Sequence, residues 1–296
     1  MRRTLTARLR LPAALALCLA AGACANFSAV EKYSDQTKKL SAAFAPMMAG
    51  SVQSCVDHYT RRKLITSTSF DPAQVQTAAQ AHCKGAVEAN EPIAALNDLL
   101  AQYADTLAAL SDKKLPSYSE DFGALKGSLA KLTDDDGTTP TFEKAELDSV
   151  IALADFLARI GTQYKQRKHI RELLGHEAAV FTIVDTLKSY ATLNYKGYLD
   201  DELGTMKPLQ LSLERAAKTE PLAANAAKST LLTETRQIEA RRASIDQFVK
   251  AADQLKVSHA KLREKIDRLD DAELAKQLND YAKEVNALRK QLRDAF

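Results

Sequence analysis

The chain has 296 residues, enough for one large or two modest domains. Its hydrophobic content of 46% and charged content of 27% are ordinary for a folded soluble protein. The net charge of +3 comes from the start: Arg2, Arg3, Arg8 and Arg10 all precede residue 24 without an acidic partner, and without them the chain stands at −1. A near-neutral body removes the main support for nucleic-acid binding.

The N-terminus reads as an export leader. Met1–Arg10 is a basic segment, Leu11–Leu19 a short apolar run, and Ala20 to Ala23 are small. That is the order of a secretory signal peptide. A spanning helix needs about 20 apolar residues, and this run ends before Asn26 with Pro12 near its start. Ala21-Gly22-Ala23-Cys24 resembles the lipobox of bacterial lipoproteins. In that family the leader is cut before the Cys, whose thiol carries a diacylglycerol and whose new amine is usually acylated. The resemblance covers only the leader and Cys24. Ala21 stands where Leu is commonest. Residue +2 is Ala25 rather than Asp, which in enterobacterial members implies outer-membrane sorting. Ordinary secretion, with cleavage after Ala23 or Ala25, is the competing reading. Two or three acyl chains would anchor the chain stably where one would not.

Asn26–Thr66 reads as one helix or a kinked pair, with Tyr33, Leu40, Phe44, Met47, Val52, Cys55 and Tyr59 at spacings of 3–4. Pro46 should kink or break it. After a turn at Thr66–Asp71, Asp71 is placed to cap a helix with Pro72 at its first position. Pro92 should interrupt that helix, with Asn90 as a new cap, before an apolar stripe resumes from Ile93 to Leu110.

Of four cysteines, Cys18 leaves with the leader and Cys24 is lipidated, so Cys55 and Cys83 remain. An even remainder in an oxidising compartment predicts a disulfide. Both residues lie a similar distance from the turn, so the bond would staple an antiparallel hairpin. Cys55, His58, His82 and Cys83 are also four zinc-type ligands. The adjacent His82 and Cys83, however, point about 100° apart on a helix. The reading is a disulfide and no metal.

Ser117–Leu132 reads as a short helix and "TDDDGTTP" as a loop. In "LTDDDGTTPTFE", Asp134, Asp136, Gly137 and Glu143 match calcium-loop positions, but Leu132 stands where the first carboxylate is required. Thr141–Arg167 is a helix. "YKQRKHIR", Tyr164–Arg171, is the densest basic run, read either as a contact for anionic partners or as a solvated helix end. Glu177–Lys218 is helical with a weak point at Gly204 and Pro208. Its tyrosines 190, 195 and 198 sit at core spacing. Leu222–Leu269 is one long apolar pattern, and Leu274, Leu278, Tyr281, Val285, Leu288 and Leu292 form a clean heptad. The phase slips by one residue between the two, so either a turn lies at Asp270-Asp271 or the helix continues with a skip; Asp270 with Glu273 makes a capping box, which favours the turn.

The expected fold is all-α: an elongated bundle of long antiparallel helices with a coiled-coil-like C-terminal segment. The expected division is 1–23 leader, 24–132 helical hairpin or bundle, and 141–296 long-helix bundle or coiled coil. No catalytic or nucleotide-binding motif occurs. The expected function is that of a non-enzymatic interaction or scaffold lipoprotein of the cell envelope. It would sit on the periplasmic face of the outer membrane, without cofactor or nucleic acid, held by its lipid and engaging an envelope protein. The alternative is a helical module binding an apolar or glycan ligand.

Overall fold

The structure is a computed structural model that describes residues 27–67, 69–112, 127–128, 142–160 and 166–296. Cys24, the leader, the calcium-like loop as far as Thr141, Tyr164 and all but two residues of the Ser117–Leu132 helix lie outside these. Every regular element among the described residues is helical. In chain order they are α1 (Ser28–Thr66), α2 (Pro72–His82), α3 (Lys84–Ser111), α4 (Lys144–Ile160), α5 (Gln166–Gly175) and α6 (Glu177–Ser189). A π-helical turn, Tyr190–Tyr195, then leads into α7 (Lys196–Gly204), followed by α8 (Met206–Ala216), α9 (Pro221–Glu264) and α10 (Ala272–Ala295).

α1 is the axis of the bundle and is buried on several sides. Small residues let its neighbours approach: Ala29, Ser34, Thr37, Ser41, Ala43, Gly50, Ser51 and Ser54 are all buried. Some of their hydroxyls are satisfied locally, Ser34 donating to the Val30 carbonyl at 2.7 Å and Thr37 to that of Tyr33 at 2.9 Å. Such bonds let a crowded polar residue stay buried without an orphaned group.

α3 runs antiparallel to α1, with Ser41 donating to the Asn97 carbonyl and Asn90 to the Met48 carbonyl. α9 is antiparallel too: Ser54 faces Arg241 and Arg61 faces Glu234, seven residues along one helix matching seven backwards along the other. α10 runs parallel to α1, with Thr37 against Tyr281. One hydrophobic cluster reaches from Phe27 to Leu292 and takes in α1 and α3 to α10, α8 only through Met206.

Neither proline breaks its helix, which rules out the break considered at Pro46 and the interruption expected at Pro92. α1 runs through Pro46 and α3 through Pro92. A helical proline frees the carbonyl four residues back. Those residues, Ala42 and Glu88, are exposed, so water can take over the lost bond. The break between α2 and α3 lies instead at Cys83. Asn90 caps nothing and reaches across to α1.

The C-terminal pair follows the heptad. All six of its predicted positions in α10 are buried. α9 ends at Glu264, and the turn expected near Asp270 is present, with Asp271 rather than Asp270 accepting from the Glu273 and Leu274 amides. Gln247 donates to the Glu284 carboxylate at 2.7 Å and Gln277 to Gln254 at 2.8 Å, tying α9 to α10. The Thr141–Arg167 helix begins at Lys144, with Glu146 reaching back to the Glu143 amide at 2.9 Å.

Candidate functional site

The end of α1 departs from the apolar plan. Beyond Val56 none of its residues is buried. In α2 only Ala79 is buried, in α8 only Met206, and in the first seventeen residues of α9 only Ala224. These four stretches form one end of the bundle, with Leu64, Phe70, Leu211, Leu222 and Leu232 exposed on it.

Two devices hold this end together. The first is the bond between Cys55 and Cys83, S–S 2.05 Å and Cα–Cα 6.0 Å, which fastens the end of α2 to α1. Both sulfurs are thereby engaged, and His82 lies with its ring 5.0 Å from that of Tyr59. The second is a charge quartet. Glu202 of α7 is 0% exposed, and its Oε1 accepts from Arg61 Nη1 at 2.8 Å and from Arg241 Nη2 at 3.1 Å. Arg61 also donates to Glu234 at 3.2 Å, and Arg241 to the Ser54 hydroxyl at 3.2 Å. Two guanidinium and two carboxylate groups are formally balanced in number, as a buried ionic network requires. Glu202 Oε2 and Arg241 Nε have no hydrogen-bond partner. Burial pushes the neighbouring Tyr195 phenol well above its ordinary range, and also raises Asp57.

Sequence reasoning missed the quartet, although the signal was present. Tyr195, Leu199, Glu202 and Met206 keep helical core spacing, as do Ile238, Arg241, Ile245 and Phe248, and all eight are buried. A glutamate in one core stripe and an arginine in another form a pair visible only once the stripes are known to meet. The π-helical turn was also missed. It places Tyr190 so that its hydroxyl bonds to Ser51 at 2.6 Å and to Asn90. Burial holds this phenol at a pKa of about 12. Tyr190 and Tyr195 are core residues, as their spacing implied.

Two grooves flank the end of α1. One, of about 400 Å³, lies towards α7 and α8 and is lined by His58, Arg62, Ile65, Asp200, Asp201 and Pro208 among others. The other, of about 230 Å³, lies towards α2 and is lined by His58, Tyr59, Arg62, Lys63, Thr66 and His82. The interior is different: the crevice among Leu40, Leu100, Val184 and Phe248 has no room for a water molecule.

At the opposite end His259 is fully buried. Its ring lies 5.9 Å from Tyr33, 6.0 Å from Tyr103 and 5.7 Å from Phe181. Neither ring nitrogen has a hydrogen-bond partner, although Glu177 Oε2 is 3.4 Å from Nδ1. Burial, and then the Arg263 charge, lower its pKa to about 3. The imidazole is therefore neutral at ordinary pH. The buried phenols of Tyr33, Tyr103 and Tyr281 are driven up and stay neutral as well.

The basic run forms local pairs. Arg171 meets Asp267 at 2.6 Å, Lys168 meets Glu172 at 3.5 Å, and Arg167 lies 6.0 Å over the Phe27 ring. Arg171 thereby docks α5 onto the α9–α10 turn, Lys168–Glu172 lies within α5, and Arg167 reaches the start of α1. No group of three or more His, Cys, Asp or Glu among the described residues is arranged to hold a metal ion. No family model, curated protein or solved structure matches the chain.

Proposed function

We propose that the chain is a lipoprotein of the periplasmic face of the outer membrane, acylated at Cys24, whose helical body is a non-enzymatic interaction or scaffold protein for an envelope partner. The observation carrying the anchor is the lipobox-like Ala21-Gly22-Ala23-Cys24 behind an apolar run of signal-peptide length. The Cys55–Cys83 bond supports an oxidising compartment. Among the described residues no helix is long and apolar enough to cross a membrane, so attachment falls to the lipid.

The interaction role is supported by contrast within the body. The interior crevice among Leu40, Leu100, Val184 and Phe248 has no room for a ligand, which weighs against the apolar half of the alternative, a helical module binding an apolar or glycan ligand. One end exposes five large apolar side chains on helices that bury little of themselves. Such surfaces suit association.

Two measurements test the proposal. Growth with a clickable fatty acid should label the native chain, and Cys24→Ser should abolish the label; labelling that survives the substitution removes the anchor. A photo-crosslinking residue placed at Leu222 or Leu232 in living cells should yield one discrete adduct that the same residue at Lys250 does not. Identical adduct patterns from both places would remove the interaction role.

A further inference from the structure

We propose that the groove between the end of α1 and the end of α2 is an oxyanion site, for a phosphate group carried by a soluble ester or by a lipid headgroup. It stands independently of the anchor and of any protein partner. His58, Arg62 and Thr66 follow one another at four-residue intervals along one row of α1, and Tyr59 and Lys63 form the adjacent row. His82 closes the groove from α2. Among the described residues, every ionisable side chain lining it is a base except the phenol of Tyr59, and none is a carboxylate. Asp200 and Asp201 line only the groove on the other side of the His58–Arg62 row. Asp57, the nearest acid in sequence, accepts from Gln53 at 2.8 Å.

The walls are held in place before any ligand arrives. Cys55 lies one helical turn before His58 and Cys83 directly follows His82, so the disulfide fixes the separation of the two imidazoles. Tyr59 is held by the His82 ring at 5.0 Å and by Lys63 Nζ at 5.4 Å from its centroid. A preorganised site loses less entropy on binding. The chemistry favours phosphate. A guanidinium fork, an ammonium and two imidazoles line the groove from two helices and offer donors for several oxygens of a tetrahedral anion, whereas a carboxylate offers only two in one plane. A volume of about 230 Å³ exceeds that of a bare anion and leaves room for the group it is esterified to.

The test uses the full oxidised chain with Cys24→Ser, so that acyl chains play no part. Inorganic phosphate is titrated at constant ionic strength against a chloride control while the imidazole resonances of His58 and His82 are followed. Vesicles of phosphatidylglycerol are compared with vesicles of phosphatidylcholine by sedimentation. Both rings should shift saturably with phosphate. The double substitution Arg62→Gln, Lys63→Gln should weaken binding by roughly tenfold or more, given two lost charge-assisted donors. The exposed pair Arg289→Gln, Lys290→Gln, on α10, should leave binding unchanged, and circular dichroism confirms that both variants fold. A phosphate response without vesicle binding supports a soluble ester. Phosphatidylglycerol binding lost in the Arg62 and Lys63 variant supports a lipid headgroup. Absence of both, or a response equal in the two double variants, overturns the site.

Discussion

The two ends of α1 bury polar groups in opposite ways. Around Tyr33, aromatic and aliphatic side chains close on a neutral His259, and the buried phenols are neutral too. Around Ser54 and Arg61, the fully buried carboxyl of Glu202 sits between two guanidinium groups, and the disulfide begins at the next residue, Cys55. The first end is mostly aromatic and aliphatic, with the Glu177–Arg263 pair at its margin, and keeps its buried ring uncharged. At the second the apolar supply runs out, as α2, α8 and the start of α9 each bury a single residue. Covalent and ionic links take over where hydrophobic area is short, as in small domains that cannot build a sufficient core.

The sharpest way to break this comparison is to damage the packed part. Phe44 lies 5.1 Å from the Phe248 ring and 5.8 Å from that of Tyr190, fully buried among α1, α9 and the π-helical turn. Phe44→Ala should cost about 3–5 kcal/mol in denaturant unfolding, combining lost transfer energy with a cavity that close packing cannot fill. A loss below about 1 kcal/mol would mean the centre of the bundle is not close-packed.

Removing the staple comes next. The Cys55–Cys83 loop spans 28 residues, and loop entropy assigns such a bond about 3.5 kcal/mol. Cys55→Ser with Cys83→Ser should act locally, because only Ala79 of α2 is otherwise buried. Hydrogen exchange should then show α2 amides losing protection while those of Leu40 to Met47 keep theirs. Uniform loss along α1 would show that the two ends unfold as one unit.

Glu202→Gln tests the ionic link. The amide keeps the shape but leaves two guanidinium groups without the carboxylate between them. Removing one partner of a buried network typically costs about 3–5 kcal/mol, and here the lower figure is expected, because Arg61 retains Glu234 and is partly solvated. Replacing Arg61, Glu202 and Arg241 together with apolar residues should recover most of the loss in chemical denaturation. If the triple variant is worse than the single one, the quartet contributes net stability rather than tolerated charge.

The histidine end predicts a pH dependence with a definite sign. The folded-state pKa of His259 lies near 3, below the ordinary value of 6.5, because burial and Arg263 oppose its charge. The unfolded chain therefore takes up a proton first as pH falls. The stabilising effect of the neutral ring is complete above pH 6.5 and is lost between 6.5 and 3, at no more than about 1.4 kcal/mol per pH unit. Subtracting the denaturation profile of His259→Phe from that of the native chain isolates this group from Asp57 and Asp98, whose pKa values burial raises. A flat difference would mean that His259 is protonated or solvated in the folded state.

How much of this was legible depended on what each pattern encodes. Heptad spacing located the buried face of α10 residue by residue, because a helix with one apolar stripe has one way to face a partner. The phase slip marked the turn before it. The cysteine count and equal distances from Thr66–Asp71 marked the disulfide. Pro46 and Pro92 misled because the cost of a helical proline depends on whether the freed carbonyl meets water, which is a tertiary fact. α1 was legible as a helix but not as the axis, since its buried serines and threonines read as polar until their hydroxyls are seen bonded to their own backbone. The quartet was hidden for a related reason: Glu202 looks like its neighbours Asp200 and Asp201, and only its register with Tyr195 and Met206 sets it apart.

The smallest effect is expected at the exposed end and carries its own information. Leu222, in the first turn of α9, is 87% exposed, and no helix covers it. Leu222→Ser removes no buried area, and serine costs about half a kcal/mol of helix propensity at most. Its effect on unfolding should therefore stay within about 0.5 kcal/mol, as for surface positions in general. The same substitution should weaken any envelope adduct formed through this end, since an exposed leucine contributes to association by being covered there. A stability loss above about 1 kcal/mol in the isolated chain would show Leu222 already covered within the molecule, and the line drawn between a packed end and an open one would move.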